Sequence, residues 1–213
     1  IYVKKWTLRQ FFQMSKTFSF LLNQNDFKQI STAMELDLAL VNNGKKYFVR
    51  SLIAAQFSRK IYYAILEDAA LSSMQVNTEN GDFNDVKNYL SGDQINVNLQ
   101  NALFLFNAAC ELQIQSLIDL TIPLLIQIIG SNNNYQLLID SLRTAYQAHV
   151  EFAGLVSFAA SKIAQFTKLI PSISDEILDY IFGCKIISID SSTIANIIKS
   201  RVDLVNDPNN RLI

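Results

Sequence analysis

The chain has 213 residues, of which 50% are hydrophobic, and it carries a formal net charge of −1 with a mean hydropathy of +0.17. This composition supplies a packed core, and the low number of prolines and glycines favours a mostly helical fold over a many-turned β sandwich. The chain is nearly neutral and its basic runs are no longer than a Lys pair, so the nucleic-acid-binding class is excluded. The apolar stretch 117–129 is too short for the roughly 20 residues of a membrane span.

The cysteine content indicates the cellular compartment. Cys110 lies in an apolar helical pattern and Cys184 lies beside Gly183, so the two are too few and too differently placed for a disulfide framework or a metal cage. We therefore expect a reducing, intracellular location, either cytoplasmic or cytoskeletal.

Residues 1–32 form an apolar N-terminal segment with an aromatic density that is unusual for a tail. Its large apolar side chains are Trp6, Leu8, Phe11, Phe12, Phe18, Phe20, Leu21, Leu22, Phe27 and Ile30. Exposed aromatic clusters normally mark interfaces, so Phe11, Phe12, Phe18, Leu21 and Leu22 are candidate protein-binding residues. The alternative, that the segment caps its own domain, stays open.

A β-hairpin and a helix pair follow. Leu36, Leu38 and Leu40 alternate along one strand, Asn42-Asn43-Gly44 supplies residues that tolerate positive φ, and Tyr47-Phe48-Val49 forms the returning strand. From Ser51 the apolar period changes to the three- and four-residue spacing of helices, over Leu52, Ile53, Ala55, Phe57, Ile61, Ala64 and Ile65.

A third strand and two helices are predicted next. Met74-Gln75-Val76 is a short strand, and Phe83 to Leu90 is an amphipathic helix that ends at Ser91-Gly92. Asn98 is expected to cap a helix that begins at Leu99 and is apolar on most of its circumference. Pro123 falls in the helical stretch that follows, and since an interior proline costs about 3 kcal/mol, we expect a break or bend at 121–123.

These elements together resemble the BTB (POZ) domain family. The matching residues are Tyr47-Phe48-Val49, Leu52-Ile53-Ala54-Ala55, Ser58, Phe83 to Leu90, and Ala108-Ala109-Cys110-Glu111-Leu112-Gln113-Ile114. The resemblance covers about the central half of the chain, and the order and spacing of its degenerate motifs carry it. The chain departs from the family at Val49-Arg50-Ser51, where many animal members have a His and a basic residue, and is similar to a divergent, protist-type member. The resemblance implies that a helix near Phe18 to Leu22 packs across a dimer partner.

The last part of the chain follows a polar break at 130–134 and is predicted to be a helical bundle. Helical faces run from Tyr135 to His149 and from Leu155 to Phe166, Ser172 and Asp175 have capping-box spacing before another helix, and a last helix carries Ile194, Ile197 and Ile198. This part resembles the BACK domain that follows many BTB domains, through Ile170-Pro171, Ile177-Leu178, Ile181-Phe182 and 186–190. We expect an α+β, mostly α protein with an apolar segment at 1–32, a BTB/POZ domain at 33–130 and a BACK-like domain at 131–213.

The residues that could support catalysis are few and scattered. His149, the only histidine, has no partner in the sequence pattern, and the adjacent carboxylates Glu67-Asp68 and Asp175-Glu176 point to different helical faces. The minimal motifs for phosphate cradles, nucleophile elbows and zinc sites do not occur. We expect no enzyme activity, no catalytic residue, no metal site and no cofactor.

Three functional hypotheses remain. The first is a non-catalytic scaffold that acts on protein partners, by homo- or hetero-oligomerisation through the BTB domain or by docking in a larger complex. The second is an adaptor of a cullin-type ubiquitin ligase, because some BTB proteins bind the cullin scaffold through an apolar-x-Glu triplet, which Ile65-Leu66-Glu67 matches. The third is a structural component of a cytoskeletal or other stable assembly, in which neighbours clamp the helical surface of residues 131–213.

Overall fold

In the computed structural model, the protein is described over residues 35–78, 81–184, 192 and 194–199. These residues are mostly helical with one small β-sheet, which confirms the expectation of an α+β, mostly α fold. The family identity of this fold stays a prediction.

The described residues divide into two compact units. Residues 35–78 and 82–96 belong to the first, and residue 81 belongs with those from 97 onward to the second. The predicted domain boundary after residue 130 falls inside the second unit. The division into segments 1–32, 33–130 and 131–213 is not tested by this partition and stays a prediction.

The hairpin that opens the first unit is confirmed. Strand β1, Leu38–Asn42, pairs antiparallel with strand β2, Lys45–Val49. The two residues between them, Asn43 and Gly44, have φ of 49° and 76°. Positive φ at both central positions matches the twist of the flanking strands and is favoured by Asn-Gly, so local chemistry is sufficient to place this turn.

A third strand completes the sheet. Strand β3, Ser73–Gln75, pairs parallel with β1, which gives the order β2-β1-β3. The predicted third strand at 74–76 is therefore present and begins one residue earlier. The backbone ladder continues past it, because the Val76 N–H donates to the Val41 carbonyl at 2.9 Å.

Three helices join the hairpin in the first unit. They are α1, Ser51–Phe57; α2, Arg59–Glu67; and α3, Phe83–Leu90. Leu38, Leu40 and Val49 are fully buried, and the rings of Tyr47 and Phe83 lie 4.8 Å apart, so α3 packs on β2. The sheet thus contributes one apolar face to the core, as expected for a sheet packed against helices.

The second unit begins with two apolar helices. Helix α4, Ala102–Leu112, packs on α5, Gln115–Asn132. The expected start at Leu99 is wrong by three residues. The Asn98 side chain accepts from the backbone N–H groups of Gln100 and Asn101, which holds a separate turn ahead of the helix.

The helix does not break at 121–123, because α5 is continuous through Pro123, and the alternative of a bend there stays a prediction. Proline removes one backbone donor, and the neighbouring Thr121 hydroxyl donates to the Ile118 carbonyl at 2.9 Å. Thr121 is fully buried while Pro123 is exposed, so the ring points away from the packed side of the helix.

The remaining elements complete a helical bundle. They are α6, Tyr135–Gln147; α7, Ala153–Lys162; two 3-10 turns, Ile163–Gln165 and Thr167–Ser172; α8, Asp175–Phe182; and the helical residues 194–199. The predicted capping box at Ser172 is wrong, because Ser172 ends a 3-10 turn and donates to the Leu169 carbonyl. Ser174 occupies the N-cap position of α8 instead.

Candidate protein-binding site

The site begins with the cap that starts α2. The Ser58 hydroxyl is buried and accepts from the Ile61 backbone N–H at 3.1 Å, so the helix begins at Arg59. Ile61 and Ile65 lie four residues apart and are buried, which fixes the rotation of the helix about its axis. The opposite side of α2 therefore faces outward.

That outward side carries two large apolar residues one turn apart. Tyr63 is 54% exposed and Leu66 is 46% exposed. The Tyr63 ring packs edge-on against Tyr62, with centroids 5.3 Å apart and planes at 69°. A three-residue spacing brings the Tyr63 and Leu66 side chains together on one stripe. We call Tyr63, Leu66, Glu67 and Asp68 the α2 surface.

The predicted triplet is divided by this geometry. Ile65 is only 5% exposed and is part of the core, whereas Leu66 and Glu67 are exposed. Ile65 therefore holds the helix in place, and the other two residues are accessible to a partner. Tyr63 was not among the residues predicted from the sequence, although its helical spacing from Leu66 was the signal that could have found it.

The charges on α2 oppose the helix dipole. Its first turn contains no acidic residue and its last turn no basic one. Instead Arg59 and Lys60 begin the helix, and Glu67 and Asp68 follow at its C-terminal end. Because a helix is stabilised by anions near its N-terminus and cations near its C-terminus, these charges do not serve helix stability.

The five N-terminal residues predicted to bind protein lie outside the described residues. They are Phe11, Phe12, Phe18, Leu21 and Leu22. The interface role assigned to them stays a prediction.

The second unit also has exposed apolar residues. Tyr180 on α8 is 56% exposed, and its ring lies 5.5 Å from that of Phe152 and 6.2 Å from that of Tyr146. Leu120 on α5 is 52% exposed. Tyr180 is thus a side chain already held by two rings, and Leu120 stands on the outer side of its helix.

Cys110 and His149 lie in different surroundings. Burial raises the pKa of the Cys110 thiol to about 12, so the group is a protonated core side chain at neutral pH. His149 is exposed in the loop after α6, at a φ of 55°. Within residues 35–78, 81–184, 192 and 194–199, no three His, Cys, Asp or Glu side chains are grouped as a metal ion requires.

The loop that contains His149 has a structural explanation. The Gln113 side chain donates to the Ala148 carbonyl at 2.9 Å. The Gln115 side chain donates to the Glu151 carbonyl and accepts from the Glu151 N–H, at 2.9 and 2.8 Å. These bonds fasten the α6–α7 loop to the joint between α4 and α5, since backbone groups in loops need partners as well.

The helices of the described part of the chain were also compared with the requirements of a membrane span. None of them joins sufficient length to sufficient apolar character to cross a bilayer.

Comparison with known proteins adds no relative. No protein-family model matches this chain, and no curated protein matches its sequence.

Proposed function

We propose that the protein is a non-catalytic protein-interaction module, with a BTB-like domain at 33–130 and a BACK-like domain at 131–213, that joins a larger complex through the α2 surface. The observation that carries the proposal is the pair Tyr63 and Leu66, both about half exposed on a helix that buries its other side. Aromatic side chains supply much of the affinity at protein interfaces, and Glu67 beside them supplies a charge that can select the partner.

The test measures complex formation by the whole chain. Tyr63→Ser/Leu66→Ser removes the apolar stripe at exposed positions, so the fold is expected to survive, and Leu120→Ser/Tyr180→Ser is the control at similarly exposed positions. Light scattering and co-fractionation from native lysate should show a complex with the wild type and the control, and its loss with the α2 variant. A chain that stays monomeric and unaccompanied, or a complex unaffected by the α2 variant, would overturn the proposal.

A cullin scaffold is the second candidate partner. The exposed Leu66-Glu67 pair favours it, because these residues supply the accessible part of the triplet that the BTB resemblance implies. Glu67→Ala should weaken binding to recombinant cullin by about 1–2 kcal/mol, the size of a desolvated charge contact at an interface. Glu151→Ala, an exposed carboxylate of the second unit, is the control. Failure of the wild type to bind removes this candidate and leaves the broader proposal standing.

A further inference from the structure

The exposed stripe of α2 extends along the helix beyond Tyr63 and Leu66. With a rotation of about 100° per residue, four exposed residues share the outward side, and they are Arg59, Tyr63, Leu66 and Glu67. Tyr63 lies near the centre of this side, diametrically opposite the midpoint between the buried Ile61 and Ile65. The stripe therefore has a positive end, an apolar middle and a negative end.

Tyr63 divides the stripe into two halves of equal length. Arg59 lies four residues before Tyr63 and Glu67 lies four residues after it, which is about 6 Å along the helix axis in either direction. When a second α2 helix runs antiparallel with its Tyr63 facing the first, each Arg59 meets Glu67 of the partner subunit. The stripe is thus complementary to itself, as the interface of a two-fold dimer must be.

Arg59 and Glu67 are not paired within one chain. Side chains of one helix meet at spacings of three or four residues, whereas these two are eight residues apart. Among the residues that the structure describes, neither of them forms an ion pair. Their order along the helix is also the one that its dipole disfavours. Both charges are therefore available to a partner.

The other charges around the stripe keep the same order. Lys60, at the basic end, is half-buried and has an interaction of its own within the chain. Asp68, at the acidic end, accepts from the Ala70 backbone N–H at 2.9 Å. Helix α1, which packs on α2, contains no charged residue, and Arg50 before it is engaged within the chain. A uniformly acidic or uniformly basic partner would therefore be repelled at one end of α2.

Two other exposed apolar positions lack this symmetry. Phe48 is 47% exposed on β2, where both charged residues, Lys45 and Lys46, are basic. Tyr180 is 56% exposed on α8, whose charged residues are all acidic. A second copy placed at either position would bring like charges together. Charge complementarity between two copies thus favours α2.

We infer that two copies of this chain associate by antiparallel contact of their α2 helices, with Tyr63 on the two-fold axis and Arg59 facing Glu67 of the partner subunit. This inference rests on the proposed function, because it names a second copy as the partner of the α2 surface. The contact is separate from the interface that the BTB resemblance implies near Phe18 to Leu22. The apolar middle of the stripe supplies affinity, and the two ion pairs set the antiparallel direction.

The contact is small, so the dimer is weak. The nine residues of α2 span about 14 Å, and such a face covers less than the roughly 800 Å² per partner of a standard interface. We expect a dissociation constant on the order of 100 µM. Sedimentation equilibrium of the full chain between about 10 and about 500 µM should therefore show a monomer–dimer equilibrium.

Charge reversal tests the pairing. Arg59→Glu and Glu67→Arg each bring like charges together in an antiparallel dimer, so each variant alone should dimerise at least about tenfold more weakly than the wild type. An equimolar mixture of the two variants should recover the dimer, because every contact then joins opposite charges. Arg59→Glu/Glu67→Arg in one chain should recover it as well. Each change places a charge where the helix dipole favours it, so α2 is expected to stay folded.

Lys168→Glu and Glu151→Arg are the matched controls, because they reverse exposed charges of the second unit. Both should dimerise like the wild type. A wild type that stays monomeric over this concentration range overturns the inference. Dimerisation that neither α2 variant weakens places the interface elsewhere and also overturns it. Loss of the dimer in both α2 variants without recovery in their mixture excludes the antiparallel pairing, with the same result.

The outcome is separable from the fate of the proposed function. If the wild type is monomeric but Tyr63→Ser/Leu66→Ser loses a companion from the lysate, the proposed function stands and the inference fails. If the wild type is monomeric and has no companion, both fail. If the mixture of charge variants dimerises while no other protein joins the wild type, the inference holds and the proposed complex is this dimer alone.

Discussion

Asp37 shows how a single side chain joins the entry of the sheet to the first helix. Its carboxylate accepts from the Ser51 backbone N–H at 2.7 Å and from the Ser51 hydroxyl at 2.6 Å. The N-cap residue of α1, Arg50, supplies no side-chain cap. Asp37, 14 positions earlier in the chain, therefore accepts from an N-terminal amide of α1 that would otherwise lack a partner. It also places a negative charge at the N-terminus of this helix, where the helix dipole favours one.

We expect Asp37→Ala to lower the free energy of unfolding by about 1–2 kcal/mol, the usual cost of losing a helix cap together with a charged hydrogen bond. Asp37→Asn keeps one acceptor oxygen and should lose less. Urea unfolding followed by circular dichroism measures both variants. Equal stability of Asp37→Ala and the wild type would show that these bonds contribute nothing net.

The two cysteines are expected to differ in reactivity for a physical reason. Burial raises the pKa of Cys110 to about 12, whereas Cys184 is only partly buried. Since the thiolate is the reactive form, Ellman's reagent at about pH 8 should label Cys184 in the native protein and Cys110 only after unfolding. Cys184→Ser should then show no fast phase. A fast phase that survives this substitution contradicts the assignment.

The raised pKa of Cys110 also makes the free energy of unfolding depend on pH. Below about pH 9 the Cys110 thiol is protonated in both the folded and the unfolded chain, so its contribution is constant. As the pH rises from about 9 toward about 12, the unfolded chain loses this proton first and the folded state is disfavoured. Cys110→Ala would remove this dependence, although at the cost of a core cavity.

At the scale of elements, two glycines of the second unit should respond to alanine in opposite directions. A Cβ at Gly154 would lie 2.9 Å from Cγ2 of Ile122, whereas a Cβ at Gly130 would meet only the Phe158 ring, at 3.7 Å. Ile122 is β-branched and buried, so it cannot turn aside. Gly154 therefore permits the close approach of α7 to α5.

We expect Gly154→Ala to destabilise the protein by about 1–3 kcal/mol through overpacking. Gly130→Ala lies inside α5 with room for the methyl group and should stabilise by about 0.5–1 kcal/mol, because glycine is a poor helix former. Thermal unfolding of both variants against the wild type measures the pair. The same sign for both changes would contradict the packing argument.

Elements defined by local chemistry were predictable, and those defined by distant contacts were not. Asn43-Gly44 specifies the hairpin turn by itself, and the β1–β2 pairing follows from it. The parallel pairing of β3 with β1 joins residues more than 30 positions apart, and no local signal encodes it. The start of α4 was missed because the Asn98 side chain stabilises a separate turn, a competition that periodicity does not reveal.

The candidate site shows the same limit. The sequence of residues 65–67 matched the apolar-x-Glu triplet, but in the structure Ile65 is buried whereas Leu66 and Glu67 are exposed. Which side of α2 faces outward depends on how Ile61 and Ile65 pack in the core of the first unit. Tyr63 enters the site only once that rotation is known. Helical periodicity could group Tyr63 with Leu66, but it could not say that their stripe is the exposed one.

At the scale of the whole molecule, the net charge of −1 conceals a separation of charge along the chain. Residues 1–34 carry +4 and the remainder carries −5. The two parts therefore prefer partners of opposite charge. At the α2 surface the exposed carboxylates of Glu67 and Asp68 favour a partner that places basic groups beside Leu66.

This electrostatic contribution should depend on ionic strength. Between about 0.01 M and 1 M salt the Debye length falls from about 30 Å to about 3 Å, so exposed charges attract one another much less. In the wild type, co-fractionation of a partner that binds the α2 surface should therefore weaken as salt rises. Glu67→Gln/Asp68→Asn removes the charges but nearly keeps the shape, so its binding should start weaker and vary little with salt.

The control for this titration uses carboxylates of the second unit. Glu176 and Asp179 are exposed on α8. Hydrogen bonds from the Glu176 backbone N–H and from the Ser174 side chain lower the pKa of the Glu176 carboxyl, so it is ionised at neutral pH. Glu176→Gln/Asp179→Asn should retain the salt response of the wild type. A flattened response in this control and an unchanged one in Glu67→Gln/Asp68→Asn would place the partner on α8, because screening acts only where the attracting charges lie.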